Sequence, residues 1–185
     1  DFVVLSLRRD ALSQVAVVRL DPDAEPGAPL GTPKPVTFDE TLFTAGVGSN
    51  PEWHQPVVRL GYTSFVTPET VYDYVVATGE LVLRKQQPVL GGYDPAAYEQ
   101  HREWATARDG TQVPISVVVR KGVPRDGTAP ALLYGYGAYE ASMDPSFRVT
   151  RLSLLDRGIV FAVAHVRGGG ERGRGWYDDG KLLRK

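Results

Sequence analysis

The sequence predicts a chain in two parts, β-rich over residues 1–85 and mixed α/β over residues 96–185. Three observations predict it. Short runs rich in Val, Thr, Tyr and Phe recur through the first part, separated by turn residues. A stretch carrying Pro88, Gly91, Gly92 and Pro95 reads as a linker over 86–95. The second part follows the order hairpin, strand, helix, strand, helix, which opens an α/β sheet and leaves it incomplete.

In the first part, strands are predicted over 2–7, 14–20, 36–43, 57–65, 72–77 and 80–85. Arg9-Asp10, Asp21-Pro22, Gly48-Ser49-Asn50-Pro51, Thr67-Pro68 and Thr78-Gly79 punctuate them. The last pair, between 71–76 and 81–84, spells a hairpin. Residues 21–35, rich in Pro, Gly and Ala, read as an exposed loop. Such hairpins fit a sandwich, a barrel or propeller blades, and no fixed repeat selects among them.

In the second part, strands over 97–107 and 113–120 flank Arg108-Asp109-Gly110-Thr111, a hairpin turn in which Asp-Gly supplies the positive φ angles. A short apolar strand over 129–134 runs into Tyr134-Gly135-Tyr136-Gly137-Ala138-Tyr139. A helix follows, with Asp144 as its cap, Pro145 in its first position and Gly158 just past its end. Val149, Leu152 and Leu155 give it one apolar face. Residues 159–166 read as a strand covered on both faces. A tight turn at 167–170 leads to a second helix over 175–185.

Composition narrows the function. The chain has 185 residues, 21 Lys+Arg against 22 Asp+Glu and a net charge of −1. That excludes a polybasic nucleic-acid or membrane-surface protein. The first 90 residues carry net −4 and the rest net +3. No apolar run reaches the roughly 18 residues of a spanning helix, and without cysteine there is neither a disulfide nor thiol chemistry. No cofactor, metal, nucleic acid or membrane partner is expected. The chain begins at Asp1 without a visible secretory signal and stops inside a predicted helix, so it is expected to be a piece of something longer. A partial sheet also exposes an edge open to self-association.

Two motifs carry possible chemistry. Gly168, Gly170 and Gly173 match G-x-G-x-x-G between a strand and a helix, either a dinucleotide fingerprint or a tight turn needing positive φ. The acidic residue that would confirm the first reading falls beyond residue 185. The loop 134–139 is either a packed aromatic turn or a glycine-flanked Tyr hydroxyl offered to a developing oxyanion. No serine sits in G-x-S-x-G. His165 reads as a core histidine, His101 as exposed and His54 as a loop residue, and their spacing gives no metal site. Asp178 and Asp179 read as a solvated helix face. A nucleophile, base and acid are therefore not expected within the chain.

Leu132 to Tyr139, Ser153-Leu154-Leu155-Asp156-Arg157-Gly158, His165-Val166-Arg167-Gly168-Gly169-Gly170-Glu171 and Trp176-Tyr177-Asp178-Asp179-Gly180-Lys181 closely resemble the prolyl oligopeptidase family of serine peptidases, nearest its oligopeptidase B (protease II) branch. Upstream, Gly61-Tyr62-Thr63-Ser64 and Ala107-Arg108-Asp109-Gly110-Thr111 are similar too. The resemblance implies that residues 1–85 are the last strands of a β-propeller, that 86–95 is the interdomain hinge, and that 96–185 begins an α/β-hydrolase catalytic domain. It implies cytoplasmic hydrolysis of short peptides after Arg or Lys, with Tyr136 as the oxyanion donor and Tyr139 lining the substrate pocket. Asp144 matches the first member of an acidic pair that holds basic substrates in some members, whereas Ser146 departs from the second. The family's Ser, Asp and His lie downstream, so this chain by itself is expected to be inactive. A non-catalytic β-rich binding module, a dinucleotide-binding domain and a prolyl-specific sibling remain as alternatives.

Overall fold

The computed structural model describes residues 1–25 and 27–184. Strands β1 (Phe2–Arg9) and β2 (Leu12–Arg19) pair antiparallel from Phe2↔Arg19 to Arg9↔Leu12. Asp10 and Ala11 close the hairpin with φ of 50° and 62°, the two positive angles of a type I′ turn. The two-residue β3 (Lys34–Pro35) adds to the other edge of β2. A second sheet is an up-and-down meander of β4 (Phe43–Val47), β5 (Val57–Ser64), β6 (Thr70–Val75) and β7 (Leu81–Gln86). Four-stranded meanders of this kind are the units from which propellers are built. Alternate residues Val58, Leu60 and Tyr62 face inward and meet Val15, Val17, Phe43, Ala45 and Tyr74 in a shared core.

The strand expected over 36–43 does not form. Only Phe43 of that span is in a strand. Past Val36, whose N–H donates to the Val15 carbonyl at 2.9 Å, side chains hold the segment: Phe38 stacks on Tyr62 with centroids 4.4 Å apart, and Glu40 accepts from the Thr67 hydroxyl and the Gln100 amide.

Asp73 on β6 is buried and meets Arg59 at 2.9 Å and Arg84 at 2.7 Å. The Arg59 guanidinium, then Arg84, holds the Asp73 carboxyl below the usual carboxylate range against the opposing pull of burial. A depressed folded pKa stabilises above the unfolded value of about 3.9, and that contribution disappears as pH falls through the folded pKa. Asp73→Asn is therefore expected to be less stable than the parent at pH 7, with the gap closing below pH ~4. Urea midpoints at pH 7 and pH 3 check this; a constant gap would contradict it.

The second part is a four-stranded sheet in the order β10-β11-β9-β8. β8 (Tyr98–Thr106) and β9 (Gln112–Arg120) form a hairpin whose Gly110 has φ 84°. β10 (Ala131–Tyr134) runs parallel to β11 (Val160–Ala164), and β11 is antiparallel to β9. Helix α1 (Val149–Leu155) makes the crossover and buries Leu155, and Gly158 with φ 77° lies just past its end.

Three expectations are corrected here. The helix begins at Val149, with Arg148 in the capping position, so Asp144 is not its cap. The segment before the helix is tied to the first part: the Thr44 hydroxyl donates to the Pro145 carbonyl at 2.6 Å, and the Phe147 N–H donates to Thr63 Oγ1 at 3.2 Å. Coverage of both sheet faces is not met among the described residues, since all four residues of β10 are exposed and β11 is only partly buried. The second helix, α2, is short, Arg174–Asp178. The chain turns at Gly180, where a Cβ would run into the Arg167–Gly168 backbone.

The two parts share a core. Leu12, Leu42, Phe65 and Val66 from the first pack with Tyr98, Val118, Leu155 and Val163 from the second. The Arg151 guanidinium lies 4.9 Å from the Phe65 ring centre and 4.4 Å from that of Phe161. Burial brings its pKa down to about 10. Among the described residues no helix is long and apolar enough to cross a membrane.

Candidate active site

The Tyr136 loop leaves the carboxyl end of β10, beside its parallel neighbour β11. Open α/β sheets carry their ligand sites at that end of the strands. Tyr136 is 45% exposed and Tyr139 is 84% exposed. Gly137 has φ 61°, which glycine adopts freely. Tyr139 and Glu140 have φ of 55° and 59°, a left-handed conformation that costs a non-glycine residue about 1–3 kcal/mol. Such a conformation persists only where its surroundings impose it.

The glycine-rich turn after β11 imposes it. The Glu140 N–H donates to the Gly168 carbonyl at 3.1 Å, and the Gly170 N–H donates to the Ala141 carbonyl at 3.4 Å. A Cβ at Gly168 would strike the Gly137 carbonyl oxygen, and one at Gly170 the Glu140 carbonyl oxygen. The first two glycines of the G-x-G-x-x-G pattern are thus spent on backbone-to-backbone packing, while Gly173 has open space around it and serves its positive φ of 86°.

Below this turn the structure assembles a row that sequence spacing did not reveal. The Ser116 hydroxyl is 2.7 Å from His165 Nε2, and His165 Nδ1 is 3.7 Å from Glu171 Oε1. All three side chains are fully buried, so Ser116 cannot meet a peptide carbonyl and the row is no nucleophilic triad. His165 is a core histidine, as expected. His101 is half-buried instead of exposed, 3.7 Å from Glu103.

Asp144 lies elsewhere in its contacts. Both of its oxygens accept from Arg8 of β1, at 2.5 and 2.9 Å, and each side chain is 26% exposed. The hydrogen bond to Asp144 holds the Arg8 guanidinium above its ordinary pKa, and Glu171 adds to the attraction. Tyr139, with Gly168, Tyr177 and Lys181, lines a cleft of about 450 Å³. A larger cleft of about 770 Å³, lined by Asp1, Trp53 and His54 among others, holds none of these residues. Tyr136 and Tyr139 therefore share one loop, while Asp144 is tied to the propeller-like half. Arg8 and Glu171 were missed in the sequence. Arg8 meets Asp144 from 136 residues away and Glu171 meets Met143 from 28, and no local pattern marks either contact.

Residues 1–87 match the family model "Prolyl oligopeptidase, N-terminal beta-propeller domain", and residues 145–185 match "Prolyl oligopeptidase family". Over all 185 residues the chain is 48% identical to dipeptidyl aminopeptidase BI of Pseudoxanthomonas mexicana, covering 24% of that protein. It is 39% identical to protease 2 of Moraxella lacunata, covering 25%. Oligopeptidase B from Trypanosoma brucei, solved in closed form with covalently bound antipain, superposes with a TM-score of 0.86 at 43% identity, over 99% of this chain and 26% of that one. The chain thus spans about a quarter of the length of these relatives. With a meander that the propeller model matches, and a β-α-β crossover at which the hydrolase model begins, the chain belongs to the prolyl oligopeptidase family and joins propeller strands to the start of a hydrolase domain.

Proposed function

We propose that these residues form part of a cytoplasmic serine peptidase that cleaves short peptides after Arg or Lys by acyl transfer. The observation that carries the reading is Tyr136, an exposed tyrosine between two glycines at the carboxyl end of a parallel strand. A hydroxyl fixed there can donate to the oxygen of a scissile carbonyl as negative charge develops on it. The attacking serine and the histidine that takes its proton come from outside these 185 residues. Tyr139 forms the wall of the adjoining cleft.

Asp144 is proposed to receive a basic side chain. In support, its carboxylate already grips a guanidinium by two points, that of Arg8, the geometry in which an arginine is best held. A substrate arginine would displace Arg8. In the full-length enzyme, Asp144→Asn is expected to raise KM for arginine peptides about tenfold with kcat nearly unchanged, which is the mark of lost uniform binding. A KM unchanged for arginine peptides would remove Asp144 from the pocket.

The pure 185-residue chain is expected to release no product from such peptides. Time-dependent hydrolysis by the chain alone would refute this placement of the nucleophile. The relative at 48% identity favours a second reading, removal of dipeptides from a free amino terminus. One arginine peptide, with its amino terminus free or acetylated, separates the two in the full-length enzyme by the masses of its products. Equal cleavage of both forms supports the first reading. Dipeptides from the free form alone support the second, and cleavage only of a proline counterpart supports the prolyl-specific sibling.

A further inference from the structure

We infer that Glu171 is a positioning residue for Tyr136: its buried carboxylate locks the glycine-rich turn onto the tyrosine loop and so sets where the hydroxyl points. The inference rests on the proposed role of Tyr136 and assigns a task to a group that role does not use.

Glu171 is buried and touches neither solvent nor the cleft. Desolvating a carboxylate is costly unless hydrogen bonds compensate it. Burial alone would push the Glu171 carboxyl up, yet His165, the Met143 N–H and its own backbone N–H hold it below the usual carboxylate range. Its two oxygens differ: one is hydrogen-bonded to the tyrosine-loop segment, and the other is buried without a hydrogen-bond partner among the described residues. Oε1 accepts from the Met143 N–H at 3.0 Å. Oε2 presses so closely on Gly169 that a Cβ there would collide with it.

Met143 ends the segment that the turn grips. Gly137 is wedged against Gly168, Glu140 is bonded to Gly168, Ala141 to Gly170 and Met143 to Glu171. These four attachments span residues 137–143, the stretch in which Tyr139 and Glu140 are held at positive φ. Tyr136 is the residue immediately before it. The carboxylate is in turn referenced to the sheet. His165 follows β11 directly, and its ring reaches Ser116 in the middle of β9. With the Ser116 hydroxyl donating to Nε2, the ring proton sits on Nδ1 and faces Glu171 Oε1 at 3.7 Å, an electrostatic contact longer than a hydrogen bond. Arg8, paired with Asp144, is the cation whose field also reaches Glu171. A row of buried polar groups thus runs from the sheet centre to the loop that carries the tyrosine.

The test is a double-mutant cycle in the full-length enzyme, on a saturating arginine peptide. Glu171→Gln keeps the shape but sets an amide N–H against the Nδ1 proton, and is expected to lower kcat about tenfold; Glu171→Ala is expected to lower it about 10²-fold, the cost of an ångström-scale misplacement. KM should stay within about twofold in both, as for an interaction realised only in the transition state. In the Tyr136→Phe background neither substitution should cost more than about twofold further, because the donor being aimed is already gone. Equal losses in both backgrounds would overturn the inference, as would an unchanged kcat in Glu171→Ala. If Glu171→Ala does not fold, Glu171→Asp, which keeps the charge and retracts it by one methylene, takes its place in the cycle with the same expectations. A Tyr136→Phe enzyme with full kcat refutes the reading beneath the inference, whereas a slow Tyr136→Phe enzyme with additive Glu171 losses refutes the inference alone.

Discussion

Tyr136→Phe in the full-length enzyme is expected to reduce kcat by about 10²–10³, the usual cost of deleting one preorganised oxyanion donor. The substitution removes a single oxygen and keeps the ring, so the packing of the loop is preserved. The hydroxyl matters most when negative charge has formed on the carbonyl oxygen, so KM should move little. Backbone restraint makes the effect large. The loop is clamped from Gly137 to Met143 by the turn after β11, so the hydroxyl needs little reorganisation at the moment of reaction. Single-turnover rates on an arginine peptide check this. A rate within threefold of the parent would leave Tyr136 as a packed aromatic and return the loop to a structural role.

The largest stability effect is expected at Phe65, where alanine should cost about 3–5 kcal/mol of unfolding free energy. Phe65 is 2% exposed and stands where the two parts meet. It packs edge-on against Phe161 with ring centres 6.3 Å apart, and the Arg151 guanidinium lies over both rings. Truncation opens a cavity between the sheets and strips one ring from a partly desolvated cation. Arg151 already has its pKa brought down to about 10 by burial, so the loss of that ring adds to the cost of the cavity. Urea unfolding of the 185-residue chain measures the difference. A loss below about 1 kcal/mol would mean that the site collapses around the gap and that other contacts join the halves.

Most of the strands were legible because their signals are local. The turns at Asp109-Gly110 and Thr78-Gly79 lie where the sequence places them, with Gly110 and Gly79 at positive φ. The tyrosine loop was legible too, since a short apolar strand followed by Gly-Tyr-Gly needs no distant information. Misreadings occurred where a distant side chain outcompeted local preference. Asp144-Pro145 is a good helix start, but Arg8, Thr44 and Thr63 tie Asp144, Pro145 and Phe147 to the first part, and the helix waits until Val149. Residues 36–42 have strand-like composition, yet Tyr62, Thr67 and Gln100 hold Phe38 and Glu40 out of any ladder. The glycine triplet was ambiguous on its own. Its purpose depends on the Gly137 and Glu140 carbonyls that press against it.

The Arg8–Asp144 pair also has a consequence for synthesis. The partners are 136 residues apart, so at about 5–20 residues per second the ribosome delivers Asp144 roughly 7–27 s after Arg8. Of the second-half residues that cover Leu12, Leu42, Phe65 and Val66, Tyr98 and Val118 emerge before Asp144, whereas Leu155 and Val163 emerge only after it. The ion pair can therefore close while the shared core is still incomplete, and Leu155 and Val163 finish it afterwards.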